Sequence, residues 1–248
     1  MINFKISLPN FFKPKKPKNL IRLGNKNDGG YLVEKDDIVQ SDILISFGIS
    51  DDWSFEENFY RYNNIDIYAY DGSLSKKFWI KRFIYSLLNF QINDLFAYFK
   101  FKSFFKNNKH FQKKFLSFYN NSINLNLDKI LIDINSNKKV FIKMDIEGNE
   151  YRLLNDILKF QNRISSLVIE FHDVDLHIEK IKNFILNFDL KIIHIHINNY
   201  SLSNLNIPNL IEITFSRIYL DLDNDYPKNL NDNPNNPKLD DFEINFNY

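Results

Sequence analysis

The sequence predicts an α/β fold in which helices cover both faces of a doubly wound, mostly parallel sheet. Short apolar runs alternate with segments of helical spacing along most of the 248 residues. Acidic or histidine side chains follow several of these runs. Parallel strands end at one edge of a sheet, where doubly wound proteins bind their ligands. The length suits one domain with additions, so we predict a single domain over 1–248.

The predicted elements follow in chain order. The turn at Asp28-Gly29-Gly30 leads into a short strand at Tyr31, and the apolar run DILISFGIS forms a longer strand that ends at Gly48. The later predicted strands are DIYAYDGS, KFLSFYNN, KVFIKMDIEG, ISSLVIEFHDVD, LKIIHIHINNY and LIEITFSRIYL. The predicted helices are WSFEENFYRY, NLDKILIDI and HIEKIKNFILNF, and helical spacing also resumes after Glu147.

Three segments are predicted as additions to this domain. Residues 1–41 form an N-terminal extension that contains the DGGYLV turn, and 74–114 form a helical insertion dense in lysine and aromatic residues. We expect the insertion to pack its aromatic side chains on the domain, and the alternative is a surface that contacts a membrane or a lipid-linked acceptor through 76–114. The Asp-, Asn- and Pro-rich tail 221–248 alternates Phe242, Ile244 and Phe246, which predicts an added strand.

The composition of the chain excludes some classes of partner and of binding site. The formal net charge of +1 gives no field that would attract nucleic acid, so we expect no nucleic-acid partner. Cysteine is missing, which excludes disulfides and thiolate metal sites. The sequence shows neither a signal-peptide pattern nor an apolar run of membrane-spanning length. We therefore expect a cytoplasmic protein, with the inner membrane face as its alternative contact.

Functional side chains follow four of the predicted strands. They are Gly48, Asp71, Asp145 with Glu147, and Glu170 with His172. A single acid at such a position is often a helix cap. Four strand ends that converge on one edge favour a ligand site instead.

The spacing of the first two positions indicates a nucleoside. Asp71 lies 23 residues after Gly48, close to the spacing at which an acid binds a ribose diol. Both nicotinamide and S-adenosylmethionine (SAM) enzymes use such an acid. The dinucleotide pattern GxGxxG is missing, and Asp51 and Asp52 would repel a pyrophosphate. The residues therefore favour SAM.

Six motifs in this order resemble the FkbM-like SAM-dependent methyltransferases: RLGNKNDGGYLV, LISFGIS, AYDGS, FIKMDIEGNEYRLL, LVIEFH and IHINNY. The resemblance spans roughly Arg22 to Tyr219, and KMDIEGNE is its most specific part. It implies a class I, Rossmann-like methyltransferase fold with an antiparallel last strand. It also implies O-methylation of a sugar, a glycan or a related surface-polysaccharide precursor, as a small molecule or lipid-linked, in a bacterial cell.

The resemblance also implies roles for individual residues. Asp145 and Glu147 would lie beside the transferred methyl group. The cofactor-binding residues would be Asp28, Gly29, Phe47, Gly48, Ser50, Asp71 and Gly72. The glycine motif after the first strand has one glycine, where many methyltransferases have two or three.

An alcohol acceptor must lose a proton, so the site needs a general base. The candidates are Asp145, Glu147, Glu170, His172 and His196, of which we predict Asp145, Glu147 and His172 as catalytic. Alternatively, Asp145, Glu170 and His172, with Glu147 nearby, hold a divalent cation. His194 and His196 share one face of their strand, and we expect at least one to face solvent.

Two other functions stay open at this point. A binding or scaffold protein could keep the fold without turnover, as the single glycine suggests. A nicotinamide-dependent oxidoreductase is the less favoured alternative.

Overall fold

The structure is a computed structural model that describes residues 5–117, 119–200, 208–222, 229 and 231–247. Its strands are β1 (Lys5–Leu8), β2 (Leu20–Leu23), β3 (Tyr31–Glu34), β4 (Ile43–Phe47), β5 (Asp66–Tyr70), β6 (Lys109–Gln112), β7 (Phe115–Leu116), β8 (Asn124–Leu125), β9 (Val140–Met144), β10 (Ile164–Phe171), β11 (Lys191–Ile197), β12 (Ile211–Ser216) and β13 (Glu243–Phe246). Its α-helices are α1 (Lys35–Gln40), α2 (Ser54–Tyr62), α3 (Lys76–Leu88), α4 (Ala97–Phe104), α5 (Leu127–Asp133), α6 (Leu154–Lys159) and α7 (Val174–Asn187).

A seven-stranded sheet forms the centre, in the order β11-β12-β10-β9-β4-β5-β6. The pairs from β10 to β6 are parallel, and β12 runs antiparallel to both β10 and β11. The order turns back at β4, so the chain builds the sheet outward in both directions from that strand. Such a switch point opens the crevice in which doubly wound proteins bind ligands.

The central strands are buried on both faces. All residues of β4, β9 and β10 are buried, which explains why their sequences are largely apolar on both faces. One core cluster contains Phe47, Ile142 and Ile169, and a second contains Leu44, Phe59 and Phe141. This packing fixes the strand ends that carry the site.

The two ends of the described chain meet. β13 pairs in parallel with β1, so the tail forms the added strand that its alternation predicts. Within the predicted tail 221–248, residues 223–228, 230 and 248 lie outside the described residues. β2 and β3 form an antiparallel pair that brings Tyr31 toward the sheet edge.

Three predictions about elements are wrong. The edge strand is β6, and KFLSFYNN supplies only the two residues of β7, which pair with β8 in a separate sheet. The insertion is therefore helical only to Phe104. The helix predicted after Glu147 is present as α6, but it is short and begins only after a 3₁₀ turn over Glu150–Arg152. His194 and His196 are both buried, at 5% and 4% exposure, because the tail covers them.

No helix among the described residues is long and apolar enough to cross a membrane.

Candidate active site

The turn after β4 requires glycine at position 48. Gly48 has a φ of +72°, and a Cβ there would lie 1.6 Å from the Asp145 carbonyl oxygen. Glycine thus lets the ends of β4 and β9 approach closely. The buried Lys143 on β9 donates from Nζ to the Gly48 carbonyl at 2.7 Å, which holds the turn in place.

Asp71 follows β5 and joins two loops. Its Oδ2 accepts a hydrogen bond from the Ser50 amide at 2.8 Å. Its Oδ1 accepts from the Ser73 amide at 2.7 Å and from the Ser73 hydroxyl at 2.6 Å. Each carboxylate oxygen can accept two hydrogen bonds, and rotation of the Ser73 hydroxyl would free a position on Oδ1. The carboxylate can therefore receive the two hydroxyls of a ribose.

A cavity of about 310 Å³ connects these loops with the end of β9. Its walls include most of the predicted site residues: Phe47, Gly48, Ser50, Asp71, Gly72, Asp145 and Glu147. Phe115 forms an aromatic wall, since a Cβ on Gly72 would come within 2.3 Å of its ring. The cavity thus offers an acid that can bind a ribose and, beside it, an aromatic ring that can contact a nucleobase.

Asp145 also lines this cavity and lies directly after β9. The Tyr31 hydroxyl lies 3.2 Å from Asp145 Oδ2 and 3.4 Å from Glu170 Oε2. Burial first, and then the charge of Asp145, raise the pKa of Glu170 well above its usual value. A protonated Glu170 can donate to the Tyr31 oxygen while Tyr31 donates to Asp145. These three groups therefore form a chain that can hold or move a proton.

His172 follows β10 and is oriented by Glu150. Its Nδ1 lies 3.0 Å from Glu150 Oε1, which also accepts from the Ile146 and Gly148 amides at 3.2 Å each. Its Nε2 faces the acids, 3.5 Å from Glu147 Oε2 and 3.9 Å from Asp145 Oδ1. The buried Glu150 thus supports both the loop and the imidazole.

The acids around His172 favour its charged form. Burial lowers the pKa of the imidazole, but the hydrogen bond and charge of Glu150, with the charges of Glu170 and Asp145, raise that pKa to about 9. At neutral pH the ring is an imidazolium.

Asp145, Glu147 and His172 bring one ligand atom each within 4.8 Å of one another. Glu147 reaches this position through a left-handed backbone, with φ of +54°. Glu170, a predicted ligand, lies outside this group and bonds Tyr31 and Asn198 instead. Oxygen and imidazole ligands suit a divalent cation. A metal-bound histidine also commonly has its second nitrogen held by a carboxylate, as Glu150 does here.

Asp28 and Gly29 have different neighbours from the other predicted cofactor residues. Asp28 Oδ1 accepts a hydrogen bond from Asn235 Nδ2 at 3.1 Å, in the tail. Gly29 faces Asp52, whose Oδ2 would lie 2.8 Å from an added Cβ. Neither residue lines the 310 Å³ cavity, so their role in cofactor binding stays a prediction.

His196 belongs to a second, separate cluster. Its Nδ1 lies 3.1 Å from Asp232 Oδ1 and its Nε2 lies 2.9 Å from Asn235 Oδ1. His194 Nε2 lies 3.1 Å from Asp232 Oδ2. Both ring nitrogens of His196 are thus engaged by the tail, which removes it from the candidates for the base.

Three residues of the site were not predicted: Tyr31, Lys143 and Glu150. Each of them has a feature in the sequence that could have indicated its role. Tyr31 ends the DGGY turn, Lys143 interrupts a buried strand, and Glu150 follows Glu147 by three residues. A charge inside an apolar run or a second acid in a short turn needs a partner, and here the partners are the Gly48 carbonyl, His172 and two amides.

The fold and the site define a class I SAM-dependent methyltransferase. The sequence matches the family described as Methyltransferase FkbM domain over residues 8–200. The chain belongs to this family, which confirms the resemblance, and the protein is a methyltransferase. No curated protein matches the chain.

Solved structures show low similarity. The rRNA methylase from Streptococcus thermophilus is 10% identical, with a TM-score of 0.39 over 73% of this chain and 93% of that one. The precorrin-6y C5,15-methyltransferase from Geobacter metallireducens is 11% identical, with a TM-score of 0.39 over 73% and 84%. TYW2 of M. jannaschii in complex with AdoMet is 14% identical, with a TM-score of 0.35 over 81% and 89%.

Proposed function

We propose that the protein methylates a hydroxyl group of a sugar or glycan, free or lipid-linked. The proposal rests on one observation: Asp145 and Glu147 line the same cavity as Gly48 and Asp71, and His172 lies beside these two acids. An alcohol must be deprotonated as it is methylated, so a carboxylate beside the cavity has a chemical role there. The sugar class comes from the resemblance, and the polar groups Glu147 and Asn149 at the cavity suit a polyhydroxylated acceptor.

The residues present fit SAM. Asp71 would hold the ribose hydroxyls, Phe115 would contact the adenine, and the Phe47–Ser50 turn would hold the methionine part. Bound SAM supplies an electrophilic methyl group on a sulfonium. The acidic rim formed by Asp145 and Glu147 tolerates that positive charge better than it would tolerate a phosphate.

Asp145 is the proposed proton acceptor. It lies at the sheet edge, its side chain is 26% exposed, and Tyr31 fixes one of its oxygens. The other oxygen, Oδ1, lies 3.9 Å from His172 Nε2. Much of the rate acceleration would come from holding the hydroxyl in line with the methyl group, and proton removal by Asp145 adds to it.

A divalent cation bound by Asp145, Glu147 and His172 is the second candidate mechanism. The specific observation in its favour is the Glu150 carboxylate on His172 Nδ1, which leaves Nε2 directed at the two acids. A cation there would lower the pKa of a bound hydroxyl. This role involves the same residues, so removal of metal is the direct way to distinguish it from proton transfer to Asp145.

The test measures methyl transfer from SAM and identifies the methylated atom of the product. The enzyme is incubated with methyl-labelled SAM and a panel of sugar glycosides, nucleotide sugars and lipid-linked sugars, and products are assigned by mass spectrometry and NMR. We expect an O-methyl ether. Labelling of nitrogen or carbon, or of RNA in a parallel arm and no sugar, would overturn the proposal. Activity that EDTA abolishes and Mg²⁺ or Mn²⁺ restores would assign the metal mechanism, and EDTA-resistant activity would assign Asp145 alone.

A further inference from the structure

The helix α3 carries an apolar stripe that faces solvent. Ile80, Phe83, Ile84, Leu87 and Leu88 recur at helical spacing, and all five are between 48% and 72% exposed. A stripe of this kind normally covers a core. The buried residues of α3 are instead Trp79 and Ser86, on another side of the helix.

The exposed apolar surface continues over the turn into α4. Phe90 is 89% exposed, Ile92 69%, Phe96 58% and Phe99 67%. Of the 22 exposed large apolar side chains in the described part of the chain, 11 lie between Ile80 and Phe99. Concentrated exposure of this kind marks an interaction site, whereas scattered apolar residues need no explanation. We call residues 83–99 the apolar tip.

The base of this helical hairpin is fixed to the domain. The rings of Trp79 and Phe101 pack at a tilt with their centroids 5.1 Å apart, and Phe101 also contacts Trp53 and Phe111. Arg82 pairs with Asp51 at 2.7 Å and with Asp94 at 3.1 Å. The hairpin therefore projects in a defined orientation, and its exposed face is not the result of an undocked helix.

Positive charge flanks the apolar tip. The tip contains no lysine or arginine, and its one acid, Asp94, is paired with Arg82. Exposed lysines lie just beyond it, five of them on the two helices and one after the end of α4: Lys76, Lys77, Lys81, Lys100, Lys102 and Lys106. We call these six the basic collar. Across 76–114 the chain has ten Lys or Arg against one Asp, while the whole chain has a net charge of only +1.

We infer that this hairpin docks the protein on an anionic lipid bilayer. The apolar tip enters the boundary between headgroups and acyl chains, and the basic collar contacts the lipid phosphates. Aromatic side chains, abundant in the tip, are enriched at that depth of a membrane. A second copy of the chain is a poorer occupant, because a symmetric contact would bring two basic collars together. The inference does not depend on the identity of the methyl acceptor.

Vesicle flotation of the full-length protein tests this inference. The probes are phosphatidylcholine vesicles and vesicles that also contain 30% phosphatidylglycerol, a fraction chosen as roughly physiological for an anionic membrane. We expect at least about tenfold stronger binding to the anionic vesicles, weakened by 0.5 M NaCl, roughly three times the physiological ionic strength. The triple variant Leu88→Ser, Phe90→Ser, Phe99→Ser should lose binding at least about tenfold, and so should Lys100→Glu with Lys102→Glu.

A matched control uses apolar side chains elsewhere. Leu176 and Leu186 on α7 are 74% and 64% exposed, and their double change to Ser should leave binding unchanged. Circular dichroism and the melting temperature show that each variant folds. Binding to neither vesicle, or equal binding to both, would overturn the inference. So would a wild-type oligomer in solution that the tip variant converts to a monomer, since the occupant would then be a second copy.

Discussion

Two acid–histidine clusters lie among the described residues, and they differ in how completely they are enclosed. At the first, His172 directs Nε2 toward Asp145 and Glu147 beside a cavity, and the Glu147 side chain is 88% exposed. At the second, the side chains of His194, His196 and Asp232 are each about 5–6% exposed. Asn235 completes it by donating to Glu212 at 2.6 Å and accepting from His196.

The difference in enclosure indicates a structural role for one cluster and a chemical role for the other. The enclosed cluster has its polar atoms satisfied by one another, and its partners Asp232 and Asn235 come from the tail, so it holds that tail to the sheet. The open cluster keeps acid groups at a cavity, where an acceptor can reach them. Acids and histidines in one sheet therefore serve different purposes according to what covers them. Changes at Asp232 or His196 should therefore leave the open cluster intact, and a change at Asp145 should leave the enclosed cluster intact.

The largest effect is expected at the enclosed cluster. Burial would raise the pKa of Asp232, but His194 and His196 lower it far below the usual range, so the carboxylate is ionised between the rings. Asp232→Asn leaves the protonated His196 without its counter-charge and should cost about 3–5 kcal/mol of unfolding free energy. Urea denaturation measures this. The control Asp221→Asn, at a carboxylate that is 87% exposed, should change stability by less than about 0.5 kcal/mol.

Gly48→Ala should come next, at about 2–4 kcal/mol, because the new methyl group would collide with the Asp145 backbone oxygen. The matched control is Gly148→Ala. Gly148 also has a positive φ, +91°, but the nearest atom to an added Cβ is 3.8 Å away. That variant should lose only about 1–2 kcal/mol, the cost of the left-handed backbone. Equal losses in both variants would remove the close approach of β4 and β9 as the reason for Gly48.

The free energy of unfolding should decrease as pH rises, because His196 loses its proton. Burial lowers the pKa of this ring, but Asp232, Glu212 and Asp241 raise it to about 9, above the unfolded value of about 6.5. The contribution is complete below the unfolded pKa and is lost as pH rises through 9. Between pH 7 and 9.5 the loss should be on the order of 2 kcal/mol. Proteolysis of the tail should accelerate over the same range.

The variants separate His196 from His172, whose pKa is also raised to about 9. His196→Gln should flatten the pH dependence of tail proteolysis, and His172→Gln should not. A tail that is cleaved at the same rate at pH 7 and pH 9.5 in the wild type would remove the anchoring role.

The smallest effect concerns the ribose site. Asp71→Asn should weaken binding of SAM or S-adenosylhomocysteine by about 1–2 kcal/mol, since it removes a charge-assisted acceptor. Calorimetry measures this. The control Ser73→Ala removes only the hydroxyl that occupies Oδ1, so affinity should stay equal or rise. Unchanged affinity in Asp71→Asn would move the ribose elsewhere.

Periodicity and strand-end residues were enough to predict the mostly parallel sheet and six of its seven strands, because a buried apolar run can be recognised from neighbouring residues alone. They failed at β6, since Lys109–Gln112 is a polar edge strand without such a run. Asp145 and Glu147 could be predicted as site residues because they follow one of these apolar runs, β9. The partners of these acids, Tyr31 and Glu150, were not, because contacts over 114 or 22 residues depend on the folded chain.

His196 shows the opposite error. Its strand alternates like one with a solvent face, so exposure was expected, but the tail supplies Asp232 and Asn235 from nearly 40 residues away. Sequence alone could not show what would cover that face.

The turnover of Asp145→Asn tests the central claim most directly. The change keeps the shape and the acceptor for Tyr31 while removing the charge. With the acceptor that the wild type methylates, we expect turnover to fall by roughly 10²-fold or more, with the melting temperature and S-adenosylhomocysteine affinity unchanged. Glu147→Gln in parallel should cost little if Asp145 acts as a base, and as much if both hold a cation. Near-normal turnover in Asp145→Asn would contradict the chemical role of the open cluster.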